Sequence, residues 1–349
     1  MKYKITKLKD IAEISMGQSP SSKYYNKTKK GIPFLQGVST FGEMFPQINT
    51  YTTVYRKEAK SGDILFSVRA PVGKVNFANQ KTAIGRGLAT IRVKNTYSKF
   101  YIYYFLKKNG RLLDFLSSGT VFTSINKKDL EEIRLKIPNR LNDQQQIAEK
   151  LLKIDKKIDI NNQINDNLLD LAKALFHEKF SYDDEVLLSN YFLPKRGKNL
   201  LKRNVVNGYI PVVAGGLTPA AFHNKSNTES PVITISSSGA NAGYTQIWGQ
   251  KVWSSDSSYI DKTVTNNIYF WYLLIKSHQK QIFDSQTGSA QPHVYPRDIG
   301  NILIPKINEV VAKKVDKAVT PVFQKIFQNK DENKKLENIK AVLLDKYFD

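Results

Sequence analysis

The chain has 349 residues, of which 41% are hydrophobic, enough for two or three domains with ordinary cores. It has no cysteine, which excludes disulfides, thiolate metal sites and a cysteine nucleophile, and which suits a reducing compartment. The 53 Lys and Arg exceed the 31 Asp and Glu by 22. This balance favours a polyanionic partner such as nucleic acid, although a surface merely rich in lysine has the same balance.

The sequence has no sign of a membrane or export segment. Its first residues lack an apolar signal core, and its longest apolar run, 268–275, is too short to cross a bilayer. We therefore expect a soluble, cytoplasmic protein.

Residues 1–142 are predicted to form a first β-rich domain. Short β-branched and aromatic runs alternate with Gly, Asn and Ser turns, as in 62–75, a pattern typical of small mixed sheets. The aromatic segment 97–116 predicts one helix. The segment 117–138 closes the domain: a Gly followed by a hydroxyl residue leads over ten residues to Asp129, and an apolar strand then ends in Ile-Pro.

Residues 143–180 are predicted to form a long central helix. It is expected to begin near Asp143, where Gln three residues later completes a capping box. Its apolar residues recur at heptad spacing, which predicts a seam for packing against a partner helix, and the seam turns polar near its midpoint. The predicted seam residues are Ile147, Leu151, Ile154, Ile158, Asn161, Asn165 and Leu168.

The second half repeats the first, with a β-rich domain over 181–307 and a C-terminal helix over 308–349. Gly119 and Asp129 recur 169 residues later as Gly288 and Asp298, and the aromatic segment recurs as 266–285, again predicting one helix. Thr320-Pro321 leaves open whether the last helix begins there after a shorter segment. The seam recurs as Val319, Val322, Ile326, Asn329, Asn333, Leu336 and Leu343.

The polar midpoints suggest how the two helices pair. If they pack antiparallel about a pseudo-two-fold axis, asparagine faces asparagine, which lowers stability but fixes register. Alternatively, the asparagines are solvent-facing stutters in helices that never touch. We favour the first and predict an α+β fold: two β-rich domains in pseudo-two-fold repeat, separated by two long antiparallel coiled-coil helices.

No catalytic constellation occurs in the sequence. It lacks a phosphate-binding loop of the G-x-x-x-x-G-K-[ST] type, an H-E-x-x-H motif and the Asn/Asp-Pro-Pro-aromatic tetrapeptide of adenine methylases. Its four histidines are scattered without metal-ligand spacing. We predict no catalytic, cofactor-binding or metal-binding residue, although a stand-alone nuclease or methylase remains an alternative.

Several basic and polar segments are candidates for contacts with nucleic acid. Lysine with tyrosine suits phosphate and sugar, arginine suits guanine, and glutamine suits adenine, but each segment equally reads as a solvated loop, a braced turn or a strand cap. The candidates in the first half are Lys23, Tyr24, Tyr25, Lys27, Lys29, Lys30, Arg69, Lys74, Arg86, Thr123, Ser124, Lys127 and Lys128. Those in the second half are Arg196, Lys198, Lys202, Arg203, Ser289, Gln291, His293 and Arg297.

The order of these parts resembles the specificity subunit of type I restriction–modification systems, over the whole chain and twice. The similar motifs are KLKDIAEISMGQSP, IPFLQG, GDILFSVRAPVGK, AIGRGLA, SSGTVFTSINKKDLEEIRLKIP and NDQQQIAEKL. The second half departs from the pattern. It has Ala312-Lys313-Lys314-Val315 in place of Gln-Gln-x-Ile-Ala, two residues fewer before Pro305, and Lys340 in place of Ala172.

The resemblance implies a non-catalytic DNA reader. Each β-rich domain would be a target-recognition domain for one half of a bipartite asymmetric site. The helices would fix the spacer and dock two methyltransferase subunits, which bring S-adenosylmethionine for adenine-N6 methylation. A motor–nuclease subunit would add ATP and Mg for restriction. A specificity-like subunit of a type II-like system and a helical scaffold without a DNA role stay open as alternatives.

Overall fold

The structure is a computed structural model that describes residues 1–110, 124–177, 184–288 and 291–349. The chain forms two compact units. Unit 1 comprises residues 1–157 and 335–349, and unit 2 comprises residues 158–334, so each long helix contributes to both units. The predicted α+β class is confirmed, and the predicted segment boundaries at 142, 180 and 307 stay predictions. No helix in the described ranges is both long and apolar enough to cross a membrane.

Unit 1 is built on a four-stranded sheet, a five-stranded sheet and a two-stranded ribbon. The four-stranded order is β2-β10-β7-β8, and the five-stranded order is β3-β5-β4-β9-β6. The strands are β1 Tyr3–Lys7, β2 Ala12–Met16, β3 Tyr25–Asn26, β4 Ile32–Leu35, β5 Tyr51–Thr52, β6 Glu58–Ala59, β7 Ile64–Ser67, β8 Val75–Phe77, β9 Thr82–Ile84, β10 Leu88–Val93 and β11 Arg134–Pro138. The helices are α1 Leu8–Ile11, α2 Lys99–Asn109, α3 Lys127–Glu131 and the first part of α4 Leu141–His177.

The aromatic helix α2 supplies much of the core of unit 1. Ser98 caps it by accepting a hydrogen bond from the Tyr101 backbone N–H at 3.3 Å. Tyr101, Tyr103 and Tyr104 are fully buried, and the Tyr103 ring stacks 4.6 Å from that of Phe77 on β8. The described helix ends at Asn109, and residues 111–116 of the predicted helix lie outside the described part.

Unit 2 repeats this architecture with a four-stranded sheet in the matching order β13-β19-β16-β17. A three-stranded sheet β15-β14-β18 and a ribbon β12-β20 accompany it. The strands are β12 Glu185–Leu187, β13 Lys195–Arg196, β14 Ile210–Val213, β15 Ala221–His223, β16 Val232–Ser236, β17 Thr245–Trp248, β18 Trp253–Ser254, β19 Ser257–Asp261 and β20 Leu303–Pro305. The helices are α5 Ile268–Ser277, α6 Gln279–Asp284, α7 Pro296–Gly300 and α8 Glu309–Phe348.

The predicted single helix over 266–285 is wrong, because α5 and α6 are separated at His278. There the Nδ1 atom of His278 lies 2.8 Å from the Leu274 carbonyl, and the Ser277 hydroxyl donates to the same carbonyl at 2.7 Å. Side chains that compete for backbone acceptors weaken the helical ladder. The break therefore arises from local side-chain chemistry that apolar periodicity does not report.

The repeated Asp129 and Asp298 have a structural role in helix capping. Asp129 accepts from the Asn126 backbone N–H at 3.0 Å, and Asp298 accepts from the Tyr295 N–H at 2.8 Å. Each carboxylate sits at the third position of a one-turn helix that precedes the ribbon strand. Gly119, the other half of this sequence repeat, lies outside the described residues.

Helix α8 runs without a break through Pro321, so the interpretation that it begins at Thr320 is wrong. Asn308 caps its start instead, accepting from the Val310 N–H at 2.9 Å. Val319, Val322 and Phe323 are all buried, and this packing holds the helix together across the missing proline donor. Helix α4 begins at Leu141, two residues before the predicted start.

In unit 2 the two long helices pack antiparallel through their asparagines. Asn161 donates to the Asn333 side chain at 2.8 Å, and Asn329 donates to Asn165 at 2.9 Å. Along the helices the repeat spacing is 168 residues, so Asn329 corresponds to Asn161 and Asn333 to Asn165. The two contacts are therefore reciprocal, as a two-fold contact requires. Asn161 is 1% exposed and Asn329 is 2% exposed, so the solvent-facing alternative is wrong.

Every predicted seam residue lies at a buried or half-buried position of its helix. Ile147 and Leu151 are fully buried in unit 1, where Leu336 and Leu343 are half-buried. In unit 2 the fully or nearly fully buried members are Asn161, Val319, Val322, Ile326 and Asn329. The half-buried remainder comprises Ile154, Ile158, Asn165, Leu168 and Asn333.

Candidate nucleic-acid interface

The lysine–tyrosine loop of unit 1 presents its cations on a fixed backbone. Lys23, Lys27, Lys29 and Lys30 are exposed. Lys29 has a positive φ of 62°, and the next residue donates its backbone N–H to the Asn26 side chain at 3.0 Å. The loop therefore holds four ammonium groups at the surface, an arrangement suited to a phosphate backbone.

The two tyrosines of this loop are half-buried, and Tyr25 braces the fold. Its hydroxyl donates to the Pro20 carbonyl at 2.9 Å, and its ring lies 4.6 Å from that of Phe34. Tyr24 carries the Lys23 ammonium 5.1 Å from its ring centroid. Of the two, Tyr24 is the better placed to contact a ligand.

Arg69, Lys74 and Arg86 are exposed around the turns of the four-stranded sheet of unit 1. None of these three side chains forms an ion pair or hydrogen bond within the described part of the chain. Arg69 forms an isolated β-bridge with Ser124, and the Arg86 backbone N–H donates to the Ser19 hydroxyl at 3.1 Å. The backbone is thus held while the guanidinium groups stay free for a ligand.

The loop before α3 brings further polar groups beside Arg69. Ser124 and Lys128 are exposed, and exposed Lys127 pairs with Glu131 at 3.4 Å within the helix. Thr123 lies outside the described residues. The bridge to Arg69 therefore joins two candidate segments that are 55 residues apart in sequence.

Unit 2 brings Arg196 together with His293 through a residue that the sequence analysis missed. The Arg196 guanidinium lies 5.2 Å from the ring centroid of Tyr295. That ring is nearly parallel to the His293 ring, at 5.9 Å between centroids and 12° between planes. Tyr295 is an exposed aromatic two residues after a candidate histidine, a signal that could have included it.

The other candidates of unit 2 are exposed but are not gathered at one point. Lys202 and Arg203 lie on a 3₁₀ turn, Lys198 flanks the sheet, and Gln291 and Arg297 lie on either side of the aromatic pair. Ser289 lies outside the described residues. No group of three metal-ligating side chains occurs in the described ranges.

An isolated β-bridge occurs at equivalent positions in the two units but joins different residues. Arg69 bridges Ser124 in unit 1, and Ser238 bridges His293 in unit 2. Both pairs are related by the 169-residue repeat. The Ser238 hydroxyl also donates to the Asp256 carboxylate. An arginine at this position in one unit corresponds to a serine–aspartate pair in the other.

The comparison with known families decides what these surfaces belong to. Residues 1–170 match the family model for the type I restriction modification DNA specificity domain. They belong to this family. The resemblance carried by the sequence motifs is therefore confirmed for residues 1–170.

Relatives of the specificity domain extend the match along the chain. A provisionally named type I restriction enzyme MjaX specificity subunit of Methanocaldococcus jannaschii is 46% identical over 41% of this chain and 34% of its own length. The chain thus spans about a third of that relative. The type I restriction enzyme MjaIX specificity subunit of the same organism is 25% identical over 99% of this chain and 92% of its own.

A solved structure shares the fold over the whole length. The crystal structure of a type I restriction–modification system S subunit from M. genitalium covers 100% of this chain and 96% of its own. The TM-score is 0.69 at 22% identity, which supports a common fold. The second half, which the family model does not match, is therefore included in the same architecture.

Proposed function

We propose that this chain is the non-catalytic DNA-sequence reader of a type I restriction–modification complex. Each unit's β-rich domain reads one half of a bipartite asymmetric site. The observation that carries this proposal is the repeat of one domain topology with different side chains at equivalent positions, such as the exposed Arg69 against the half-buried Ser238. Two domains of one fold with different surfaces suit two different half-sites.

The same proposal assigns the long helices to spacing and docking. Leu171 on α4 is 48% exposed, and its repeat equivalent on α8, Ile339, is 52% exposed. A large apolar side chain kept at the surface in both copies suits two copies of one partner. We assign these positions to two methyltransferase subunits, which carry S-adenosylmethionine for adenine-N6 methylation. A restriction subunit using ATP and Mg then joins through them.

The test is a map of N6-methyladenine across the source genome with and without this gene. Deletion is expected to remove one bipartite motif. Complementation with Arg69→Ala is then expected to change the base preference of the methylated motif in one half-site only. Complementation with Arg196→Ala is expected to change the base preference in the other half-site. Lys153→Ala, at an exposed helix residue paired with Glu149, is the control that leaves the motif unchanged.

A methylome that is the same with and without the gene, in cells that express the chain and its partners, contradicts the proposal. Substitutions in both units that affect the same half-site contradict the assignment of one half-site to each unit.

A further inference from the structure

Unit 2 contains a cavity of about 310 Å³ that the proposed DNA and methyltransferase contacts leave unused. It is walled by the β17 hairpin, the end of α5 and the middle of α8. Its size is at the lower end of the range for small-molecule sites. The wall combines four aromatic residues, Tyr244, Trp248, Tyr272 and Phe327, with three lysines, Lys276, Lys330 and Lys334.

Lys276 is a half-buried cation with only neutral partners. Its ammonium donates to the Thr245 carbonyl and to the Gln279 side-chain oxygen, each at 3.0 Å, and lies 4.4 Å from the Tyr244 ring centroid. Burial lowers the pKa of Lys276, and the nearby Lys173 ammonium lowers it further. No carboxylate pairs with it among the described residues, so its charge is uncompensated within unit 2.

Lys330 adds a second uncompensated charge to the same wall. It keeps contact with solvent, but the surrounding side chains desolvate its ammonium and lower its pKa, and Lys334 lowers it further. The single acid in the wall, Asp331, pairs with Lys334 at 3.8 Å. Two ammonium groups therefore line the cavity without an ionic partner in the part of the chain that the structure describes, which favours an anionic occupant.

The aromatic part of the wall is preformed. The indole N–H of Trp248 donates to the Thr234 hydroxyl at 2.8 Å, which fixes its ring. The Phe327 ring packs so closely on Gly249 that a Cβ there would lie 2.3 Å from it. The Tyr272 hydroxyl is protonated at neutral pH, as in any tyrosine, and burial raises its pKa further, to about 12. It forms no hydrogen bond within the described residues, so it is available as a donor.

We propose that this cavity binds a nucleotide, with the base against the aromatic wall and the phosphate held by Lys276 and Lys330. Aromatic side chains stack on any base, and ammonium groups neutralise phosphate. Tyr272 supplies a hydrogen-bond donor to the bound molecule. A free nucleotide and a nucleotide within single-stranded DNA offer the same chemistry.

The equivalent position in unit 1 differs, so the site is assigned to unit 2 alone. Lys107, 169 residues before Lys276, lines a cavity of about 600 Å³. It donates to the Glu43 carbonyl and the Tyr103 hydroxyl, each at 3.4 Å. Burial and the Lys340 ammonium lower the pKa of Lys107, and the nearby Asp155 and Glu43 carboxylates oppose this shift, whereas no carboxylate does so for Lys276. Phe41 is the one aromatic residue of that wall among the described residues.

The experiment titrates the full chain with adenosine monophosphate, using calorimetry and tryptophan fluorescence. Saturable binding with quenching is expected, and Lys330→Ala, on the helix surface, is expected to weaken it by about 10-fold, the effect of losing one charge-assisted contact of about 1.4 kcal/mol. Trp248→Phe is expected to remove the quenching and keep the calorimetric signal. Lys107→Ala is the matched control that leaves binding unchanged.

The arms of this experiment separate the outcomes. Adenosine and inorganic phosphate alone are each expected to bind more weakly than the monophosphate. Competition by a short single-stranded oligonucleotide assigns the site to a DNA strand, and its failure to compete assigns the site to a free nucleotide. Absence of saturable monophosphate binding, or equal binding by Lys330→Ala, overturns the inference. The methylome test is independent of this result.

Discussion

Units 1 and 2 carry opposite chemistry at three equivalent positions, two on the long helices and one on the helix that closes each β-rich core. In unit 1, Asp155 pairs with Lys340 and accepts from the Tyr104 hydroxyl at 2.7 Å. The repeat equivalents in unit 2 are Phe323 for Asp155, Ala172 for Lys340 and Leu273 for Tyr104. All three are buried members of one hydrophobic core cluster. A polar triad in one half thus occupies the place of an apolar one in the other.

This exchange shows that the repeat preserves position and shape more strictly than chemistry. A paired charge in a partly buried site contributes about as much as well-packed apolar residues, so either solution is stable when complete. The departure of Lys340 from its copy Ala172 is therefore compensated by Asp155 in contact with it. Features kept in both halves are those with no local substitute, such as the reciprocal asparagines and the capping Asp129 and Asp298.

The largest expected effect comes from breaking the triad of unit 1. Lys340→Ala leaves Asp155 half-buried without its cation, and we expect a loss of about 2–4 kcal/mol in the free energy of unfolding, measured by denaturant titration. Converting the whole triad to the chemistry of unit 2, with Asp155→Phe, Tyr104→Leu and Lys340→Ala together, is expected to recover most of this loss.

The control for the triad is Lys153→Ala, which removes an exposed pair with Glu149 and is expected to change stability by less than about 0.5 kcal/mol. If the single and triple variants lose the same stability, the apolar residues of unit 2 cannot replace the polar triad of unit 1.

A smaller effect is expected at the apolar positions kept on both helices. Leu171→Glu and Ile339→Glu are each expected to weaken one of two methyltransferase contacts by about 2 kcal/mol, or roughly 30-fold, because a charge enters a desolvated contact. Mass measurement of the reconstituted complex should then show one methyltransferase per chain. The control is Val310→Glu. Val310 is an exposed apolar residue of the same helix, but its repeat equivalent is the polar Asn142, so it is not part of a repeated apolar surface. Loss of both subunits from either single variant would break the two-fold assignment.

The smallest effect concerns an ionic contact that unit 2 lacks. Glu132 pairs with Lys7 at 2.6 Å and with Lys9 at 2.5 Å, and these hydrogen bonds lower its pKa from 4.5 to about 2. A depressed carboxyl pKa contributes stability above pH 4.5 that is lost as pH falls toward 2. Its repeat equivalent, Asn301, does not titrate.

We therefore expect Glu132→Gln to flatten slightly the decline in unfolding free energy between pH 4.5 and 2, measured by denaturant titration at each pH. The effect should be small because the pair is exposed and screened by solvent. An unchanged slope in this variant would assign the acid sensitivity to other carboxylates.

The sequence predicted the features that follow from hydrophobic periodicity and the internal repeat. It missed contacts between residues far apart in sequence and one helix break. Heptad spacing and the 168-residue repeat were sufficient to predict the antiparallel pair and its asparagines. The Asp155–Lys340 contact and the Arg196–Tyr295 pair join residues far apart in sequence, so neither follows from spacing alone. The division of α5 from α6 depends on a histidine that takes a backbone acceptor, which hydrophobic periodicity does not report.

The ribbons β1–β11 and β12–β20 tie the first strand of each β-rich domain to its last, with Tyr3 opposite Pro138 and Glu185 opposite Pro305. Each long helix then begins within four residues of its ribbon. Chain inserted or deleted inside such a tied loop does not displace the helix that follows. Each β-rich domain therefore tolerates changes in the length and sequence of its binding loops, because these changes leave the position of the long helix that follows unaffected.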